Sequence, residues 1–590
     1  MTPDMHAARD TARAVFGFEA LRPGQEAVIE RVLRGEDTLA LMPTGSGKSL
    51  CYQLPALMLD RCVVVISPLI ALMKDQLDGM PDALAGISTA INSTLSRDEI
   101  RARLAAIADR KNRLVYAAPE RLRHLPFVDA LRRAGVALFV VDEAHCICLS
   151  GYDFRPDYLF IRDALRMLGE SPLLALTATA SPAMADEIAE VLGRKLHRVS
   201  TGALRPNLRL EIQRVPDNAA RVERIRELCR RLDGPGIVYV NARARAEDLA
   251  RLLRQDGAEA DFYHAGLASP DRAERQDRFM AGKTRIIVTT AAFGMGVDKA
   301  DVRFVLHADL PSSLEGYVHE SGRAGRDGAP ASCVAVLAPG DRGNLSRWAY
   351  QERPTTELAL AVERAFRSRA EVGIVAVPVD DLRRDVGDEL DIDVDETQVR
   401  VALSLLERAE VLDRRMDLPR VLSIFRTRRG LASAPAELHA FVAAAHLQPG
   451  QGAPWETAEL AEATGIPCAA LEGKLLEWQA GGWLRVRASG RDPCVELREH
   501  DQDARERISE LIDDLARIQE QRIADLFAFV EQPACRHAAL ARYLRVPEPA
   551  ACEACDRCAP ARRGVRAVIG DWWGRLSGRR SRSHRPDWGS

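Results

Sequence analysis

The run Met42-Pro43-Thr44-Gly45-Ser46-Gly47-Lys48-Ser49 has the residue types needed to hold a chain of phosphates. Gly45 and Gly47 let backbone N–H groups approach phosphate oxygens with no Cβ in the way. Lys48 supplies a point charge for the terminal phosphates, and Ser49 a hydroxyl for Mg²⁺. The apolar run Thr38-Leu39-Ala40-Leu41 before the loop and Leu50-Cys51-Tyr52-Gln53-Leu54 after it predict strand, tight turn and helix start, the geometry of a phosphate cradle. Met42 stands where the strict motif wants glycine, so the loop is imperfect on its own. Downstream, Asp142-Glu143-Ala144-His145 closes the apolar run Leu138-Phe139-Val140-Val141. At a strand end Asp142 suits water-mediated Mg²⁺ binding, and Glu143 suits polarising an attacking water. His145 and the hydroxyls of Thr177 and Thr179 are candidates for sensing the terminal phosphate. Upstream, Phe18 offers a ring to stack on a base, Gln25 offers donor and acceptor edges suited to adenine, and Arg22 lies between them. A helix started by Pro23 and a core Phe16 would account for that stretch equally well.

At 590 residues the chain exceeds one core and should divide into about three to five domains. A hydrophobic content of 47% with 28% charged residues excludes a disordered or fibrous chain. Net charge is only −3, so any nucleic-acid surface must be a local patch. No stretch approaches the ~20 apolar residues of a membrane span, and the N-terminus lacks the apolar core of a signal peptide. Of twelve cysteines, eight are scattered in hydrophobic contexts and four cluster near the C-terminus. That distribution predicts a reducing, cytoplasmic compartment and a metal rather than disulfides.

Around these residues, apolar runs at 62–66, 114–116, 138–141 and 173–176 alternate with helical patterns, as parallel βαβ units do. In an open α/β sheet ligands sit at the carboxyl ends of strands, where the polar clusters above all fall. A second alternating segment follows Arg205-Pro206-Asn207, with apolar runs at 236–240 and 285–288, and ends in Glu320-Ser321-Gly322-Arg323-Ala324-Gly325-Arg326-Asp327-Gly328.

Gly45–Ser49 (residues 45–49), Asp142-Glu143-Ala144-His145 and Thr177-Ala178-Thr179 resemble motifs I, II and III of superfamily 2 helicases. Residues 236–243, 285–299 and 320–328 are similar to motifs IV, V and VI, in order. Residues 16–26, 67–76 and 145–147 with 153–158 resemble the RecQ DNA helicases in particular, where methionine is usual at the first loop position. The resemblance implies two RecA-like lobes, ATP and Mg²⁺ at their cleft, and 3′-to-5′ movement on single-stranded DNA with duplex opening in repair or recombination. It makes Arg326, with Arg323 beside it, the cation that the second lobe brings to the terminal phosphate. One departure matters: where the family carries Ser-Gln-Trp-Gly-His before Asp153, this chain has Cys148-Leu149-Ser150-Gly151-Tyr152. Tyr152 and Phe154, with Arg155, are then left to stack on bases and couple DNA to hydrolysis. A DNA-stimulated translocase with weak strand separation is therefore a second reading. A non-enzymatic DNA-structure-binding protein is a third, opposed by intact Lys48, Asp142, Glu143 and Arg326. His319 replaces a glutamine usual in the family.

Near the C-terminus, Cys535 is followed after sixteen residues by Cys552-Glu553-Ala554-Cys555-Asp556-Arg557-Cys558. Four thiolates at this spacing suit tetrahedral Zn²⁺, and the pattern resembles the RecQ zinc-binding subdomain. His537, two residues past Cys535, reads as a surface residue. In the family this module follows the lobes almost directly; here residues 351–500 intervene and carry two winged-helix patterns. The first has helices near 357–370, 379–386 and 396–409, then apolar returns at 411–412 and 421–425. The second has helices from 457–463 and up to 477 around Gly465 and Pro467, then strands at 483–486 and 495–497. The helix at 396–409 holds only Arg400 and Arg408, few for a phosphate-contacting face, whereas Arg485, Arg487 and Arg491 make the second module the better candidate for duplex DNA. The expected fold is α/β: two tandem RecA-like parallel-sheet lobes at 1–205 and 206–350, mainly helical winged-helix-like modules at 351–430 and 431–500, a long helix with a four-cysteine zinc-binding subdomain at 501–560, and a basic, flexible tail at 561–590.

Overall fold

The structure is a computed structural model that describes residues 4–68, 70–92, 94–148, 155–202, 205–293, 299–351, 353–499, 502–548 and 551–559. Tyr152 and Phe154, part of the motif V segment, and the tail from 560 lie outside the described residues.

Lobe 1 is built on β1 (Thr38–Leu41), β2 (Cys62–Ile66), β3 (Ser88–Ile91), β4 (Leu114–Ala117), β5 (Val136–Val141), β6 (Leu173–Thr177) and β7 (His197–Ser200). They form one sheet in the order β3-β4-β2-β5-β6-β1-β7, with parallel pairings throughout. Every residue of β2 is buried, as a central strand covered on both faces requires. Its side chains alternate: Cys62, Val64 and Ile66 enter one core, Val63 and Val65 the other. Lobe 2 repeats the plan with β8 (Leu208–Arg214), β9 (Gly236–Tyr239), β10 (Ala260–Tyr263), β11 (Ile286–Thr289), β12 (Phe304–His307) and β13 (Ala331–Leu337). These pair in parallel in the order β10-β11-β9-β12-β13-β8.

Beyond the lobes, β14 (Gly373–Ala376) and β15 (Leu412–Arg414) frame three helices, Thr356–Arg367, Val379–Leu390 and Glu396–Arg408. Next come β16 (Leu418–Arg426), β17 (Gly452–Glu456) and β18 (Leu484–Asp492), with helices Ala436–Ala444, Thr457–Thr464 and Cys468–Ala480 among them. Last is β19 (Cys494–Leu497), which returns to pair antiparallel with both β14 and β15. The strands therefore sort differently from the sequence pattern. The run at 421–425 belongs to the second sheet, β17-β16-β18, and the run at 495–497 to the first, β14-β19-β15. The reason is topological. The whole second module is inserted between two neighbouring strands of the first, so residues far apart in sequence close one sheet.

Helix Glu396–Arg408 turns the face that carries Arg400 towards lobe 1, while its first turn stays exposed. Arg400 reaches Asp157 at 3.3 Å and also bonds Glu396, while Arg408 lies 3.6 Å from Glu187. Both arginines on this helix are thus spent on carboxylates, which removes it as a duplex-reading helix in this arrangement. At the centre of the contact Arg123, 2% exposed, sits over the Phe160 ring at 4.2 Å, 3.7 Å from Asp157 and 4.0 Å from Glu407. Its Nη1 donates to the Arg415 carbonyl, and its own carbonyl accepts from the Asp417 N–H at 3.0 Å.

The 28-residue helix Ala504–Glu531 is a strut of about 42 Å at 1.5 Å per residue. Ile508 and Ile512 pack into the first module, and Ile523, Leu526 and Phe527 into lobe 2. Beyond it, the cysteine knuckle covers the open edge of β8. The Leu210 N–H donates to the Ala554 carbonyl and the Asp556 N–H to the Leu210 carbonyl, each at 3.0 Å. An exposed parallel edge is thereby closed.

Replacing Arg123 with Ala leaves a cavity under the Phe160 ring and removes a cation from half-buried Glu407 and from Asp157, which keeps only Arg400. We expect about 3 kcal/mol of destabilisation, read in urea denaturation as early release of the 356–497 region from lobe 1.

Candidate nucleotide cleft and metal centre

The 42–49 loop leaves the end of β1, and the Met42 N–H extends the pairing to the Thr177 carbonyl at 3.0 Å. Gly45 and Gly47 have φ of 78° and 80°, the left-handed region that glycine enters without strain. A Cβ on Gly47 would lie 2.5 Å from Gln25 Nε2. Gln25 is not turned outward towards a base. Its Nε2 donates to the Ser46 and Gly47 carbonyls at 3.2 and 3.1 Å, and its Oε1 accepts from the Arg22 N–H at 3.0 Å. Arg22 Nη1 in turn donates to the Gly45 carbonyl at 3.2 Å. Phe18 is 48% exposed and stacked on Phe16 with ring centroids 6.1 Å apart, so an aromatic face remains open beside the loop.

Glu143 is the focus of the site. It has φ 47° and ψ 51°, a left-handed conformation uncommon outside glycine and concentrated at functional sites. Lys48 Nζ is 3.5 Å from Glu143 Oε1, and His145 Nδ1 is 3.3 Å from Oε2 and 3.0 Å from Thr177 Oγ1. Thr177 Oγ1 also accepts from the Thr179 N–H, so the hydroxyl orders the turn as well as the imidazole. Burial raises the pKa of a carboxyl here, but Lys48, His145, His319 and Arg323 reverse it and hold Glu143 below the ordinary range. Asp142 moves the other way: burial and then the Glu143 charge push it up against Lys48. Its Oδ1 accepts from the Glu143 N–H at 3.0 Å, and its carbonyl accepts from the Tyr158 hydroxyl at 3.1 Å.

Lobe 2 meets this surface directly. His145 and His319 are edge to face at 5.9 Å. Burial, with Arg323 next in weight, takes His319 well below the usual histidine pKa, so it is a neutral imidazole where the family has a neutral amide. A Cβ on Gly45 would touch the Arg326 side chain at 3.2 Å, and one on Gly322 would lie 3.4 Å from Thr44 Oγ1. Arg323 is 2% exposed, and its Nε and Nη2 have no hydrogen-bond partner among the described residues. Ser46 Oγ and Thr179 Oγ1 are likewise buried without one. Unsatisfied donors on a buried guanidinium at this cleft suit an anion. The sequence pattern gave no sign of what holds the Arg326 turn. Arg205 donates to the carbonyls of Gly322, Ala324 and Gly325, and Asn207 Nδ2 donates to those of Gly325 and Ala329 at 2.8 Å. The two residues on either side of Pro206 in the interlobe connector were its only trace in the sequence.

At the C-terminus the ligand atoms of Cys535, His537, Cys552 and Cys555 lie within 4.8 Å of one another. His537 is 5% exposed, and its Nδ1 is 3.2 Å from Cys552 Sγ, so the expectation of a surface residue is corrected. Cys535 caps the helix Arg536–Tyr543, which turns the second position of that helix back onto the sulfurs. Cys558 is exposed and outside that group of four, though its N–H donates to Cys555 Sγ at 3.4 Å. Four donors, three sulfurs and an imidazole nitrogen, thus surround a centre that suits a tetrahedral ion. The same helix reaches lobe 2, where the Tyr543 hydroxyl donates to the fully buried Glu315 at 2.8 Å, on the helix Leu314–Ser321 that also carries His319. Among the described residues no helix is long and apolar enough to cross a membrane.

Gly47→Ala tests the loop. A methyl in the left-handed region against Gln25 should weaken binding of a fluorescent ATP analogue at least tenfold, about 1.4 kcal/mol, with the melting temperature of the chain nearly unchanged.

A DEAD/DEAH box helicase family model matches residues 22–188, and a helicase conserved C-terminal domain model matches residues 220–328. The chain is 39% identical over 373 residues to the probable ATP-dependent DNA helicase RecS of Bacillus subtilis, a match spanning 62% of this chain and 74% of that one. It is 42% identical over 341 residues to the ATP-dependent DNA helicase RecQ of the same organism, spanning 57% of each. The matched part therefore covers little more than half of RecQ itself. Among solved structures, the DUF1998 helicase MrfA bound to DNA aligns with a TM-score of 0.49 at 18% identity, over 69% of this chain and 61% of that one. With the motifs of both lobes in place around one cleft, this chain belongs to the RecQ family of ATP-dependent DNA helicases.

Proposed function

We propose that the chain is an ATP-driven motor that moves 3′ to 5′ along single-stranded DNA and opens duplexes in repair or recombination. The observation that carries this is convergence: Lys48 of lobe 1 and Arg323 and Arg326 of lobe 2 approach the same cleft around Glu143. Lys48 and the loop N–H groups hold the terminal phosphates, and Arg326 neutralises charge that develops on the transferred group. Ser49 and Asp142 would hold Mg²⁺, which would supply positive charge against that of the phosphates. A carboxylate held at low pKa is a weak base, so Glu143 orients and polarises water rather than taking its proton early. His145, bridging Glu143 to the Thr177 turn, and His319 across the cleft link water positioning to the approach of lobe 2.

The lobes meet closely here, with a cavity of about 20 Å³ left between Thr44, Thr179 and Gly322. That is room for about one water and not for a nucleotide. Opening and closing once per hydrolysis would alternate the grip of the lobes on a strand. The strut helix and the zinc knuckle tie lobe 2 to the first module, so that module would move with the cycle. We read the 356–414 and 494–497 segments as one winged-helix-like module and 418–492 as a second within its wing. Cys535, Cys552 and Cys555 would hold structural Zn²⁺ with Cys558 or His537 completing the tetrahedron. The missing loop tryptophan favours one alternative, a DNA-stimulated translocase that separates strands weakly.

Duplexes with a 3′ or a 5′ single-stranded tail separate the readings. We expect ATP-dependent opening of the 3′-tailed substrate, lost in Lys48→Ala together with roughly hundredfold or more of the ATPase. Opening of neither substrate, with hydrolysis still stimulated by single strands, would favour the translocase. ATPase indifferent to DNA would remove both. For the metal, Co²⁺ exchange should give a four-thiolate spectrum in the intact chain that weakens in Cys558→Ser and persists in His537→Ala; the opposite pair of results would put the histidine in the fourth position.

A further inference from the structure

Lobe 1 and the inserted module enclose a second cleft, away from the nucleotide site, with a cavity of about 500 Å³. That is within the size range of ligand sites. It opens at the carboxyl ends of the edge strands of lobe 1: Ile91 ends β3, and Arg121 lies in the turn Pro119–Arg123 that follows β4. The opposite wall is helix Cys468–Ala480 and strand β18. The docking described above holds the walls together.

The chemistry of this cleft is lopsided. Its partly exposed floor is aliphatic, with Ile100, Leu104, Pro126, Leu476 and Val486. Its two lining carboxylates are occupied, Asp129 by Arg132 at 3.1 Å and Glu472 by Arg491 at 3.0 Å. Arg101 is paired outside the cleft with Asp98 at 3.1 Å. Arg97, Arg121, Arg133 and Arg487 line it with no carboxylate within 4.0 Å among the described residues. Burial depresses the pKa of Arg121; Glu120 opposes that shift and the like charge of Arg491 adds to it. Four guanidinium groups without a carboxylate within 4.0 Å among the described residues, in a chain of net charge −3, are a concentrated anion-binding feature.

An anionic polymer fits better than a small ligand. The guanidinium groups come from both walls of an open cleft, whereas the floor has few polar groups to fix one orientation. The chain's own tail is excluded by charge, because residues 561–590 carry eight arginines against two aspartates. Position then favours nucleic acid over an acidic peptide. The cleft continues the carboxyl edge of the lobe 1 sheet, where ligands of open α/β sheets lie, and aliphatic flats with guanidinium planes accept sugar and base faces without regard to sequence. We propose that this cleft is a second subsite for single-stranded DNA, holding the stretch of strand that extends past lobe 1. It rests on the motor reading above and adds to it a lengthened footprint supplied by the inserted module.

The test uses the full chain with Arg97→Glu, Arg133→Glu and Arg487→Glu combined, all exposed and outside the nucleotide cleft, and thymidine oligomers of about 8 and about 30 nucleotides. Affinity for the long oligomer should fall tenfold or more, and the slope of log affinity against log salt by about 2, near 0.7 per lost phosphate contact. Affinity for the short oligomer, and the ATPase it stimulates, should be unchanged. Unchanged affinity for the long oligomer overturns the proposal, as does equal weakening of both. Loss of binding to an acidic, leucine-bearing peptide with the long oligomer unaffected would instead assign the cleft to a protein partner. A photo-reactive p-benzoylphenylalanine at Ala488 gives a readout without charge reversal: it should crosslink to the long oligomer and not the short one, and failure to crosslink to the long one counts against the subsite. If the unaltered chain shows no ATPase stimulated by the short oligomer, the motor reading fails by itself, while the crosslink still reports on the cleft.

Discussion

A buried carboxylate must be surrounded by positive charge, and at Glu143 that charge comes from two separately folded lobes. Lys48 lies 3.5 Å away on the same lobe, while Arg323 comes from the other. Neither lobe alone satisfies the group. Every element that sets lobe position therefore acts on the chemistry: the connector residues Arg205 and Asn207, the helix Leu314–Ser321, and the strut that braces lobe 2. The strain at Glu143, held in a left-handed conformation, is consistent with a backbone shaped for a site rather than for stability.

The cysteine knuckle takes part in this positioning through ordinary hydrogen bonds. By pairing with Leu210 it completes the edge of the lobe 2 sheet, and through Tyr543 it gives buried Glu315 a partner at the head of the helix that carries His319. Arg536, 1% exposed, ties the knuckle to the strut through Asp556 and the Phe529 carbonyl. Loss of the knuckle would thus uncover a strand edge and leave the Glu315 carboxylate without its hydroxyl partner. Its effect should reach the cleft with no residue of the knuckle touching nucleotide.

The lobes were legible in the sequence because their signals are local. A glycine loop after a short apolar run, an acid pair at the end of another, and continuous apolar strands each read within a dozen residues, and the structure brings Lys48, Glu143, His145 and Thr177 within hydrogen-bonding or ion-pair distance. What escaped depends on distant pairing. No local pattern says that Val495 closes a sheet with Ile374-Val375 rather than with the strand before it, so the second module's place inside the wing of the first was invisible. His537 was misread because periodicity ignores that a helix capped by Cys535 turns its second residue towards the sulfurs. Gln25 was read for its chemistry alone, whereas the loop carbonyls at 3.1 and 3.2 Å compete for the same amide.

The insertion also changes what the first module can do. On the winged-helix reading proposed above, the first module would offer its third helix and its wing to DNA. Here the third helix, Glu396–Arg408, is pressed on lobe 1 with its arginines paired, and the wing strands β15 and β19 are joined through another module instead of a turn. Insertion at that point is physically inexpensive, because β15 and β19 are already neighbours and the added module enters and leaves close to one place. Its consequence is a wall: β18 and helix Cys468–Ala480 stand across from lobe 1 and convert an open sheet edge into a cleft. The surface lost to docking by one helix is thereby replaced by a new surface between two domains, lined by guanidinium groups with no carboxylate within 4.0 Å among the described residues.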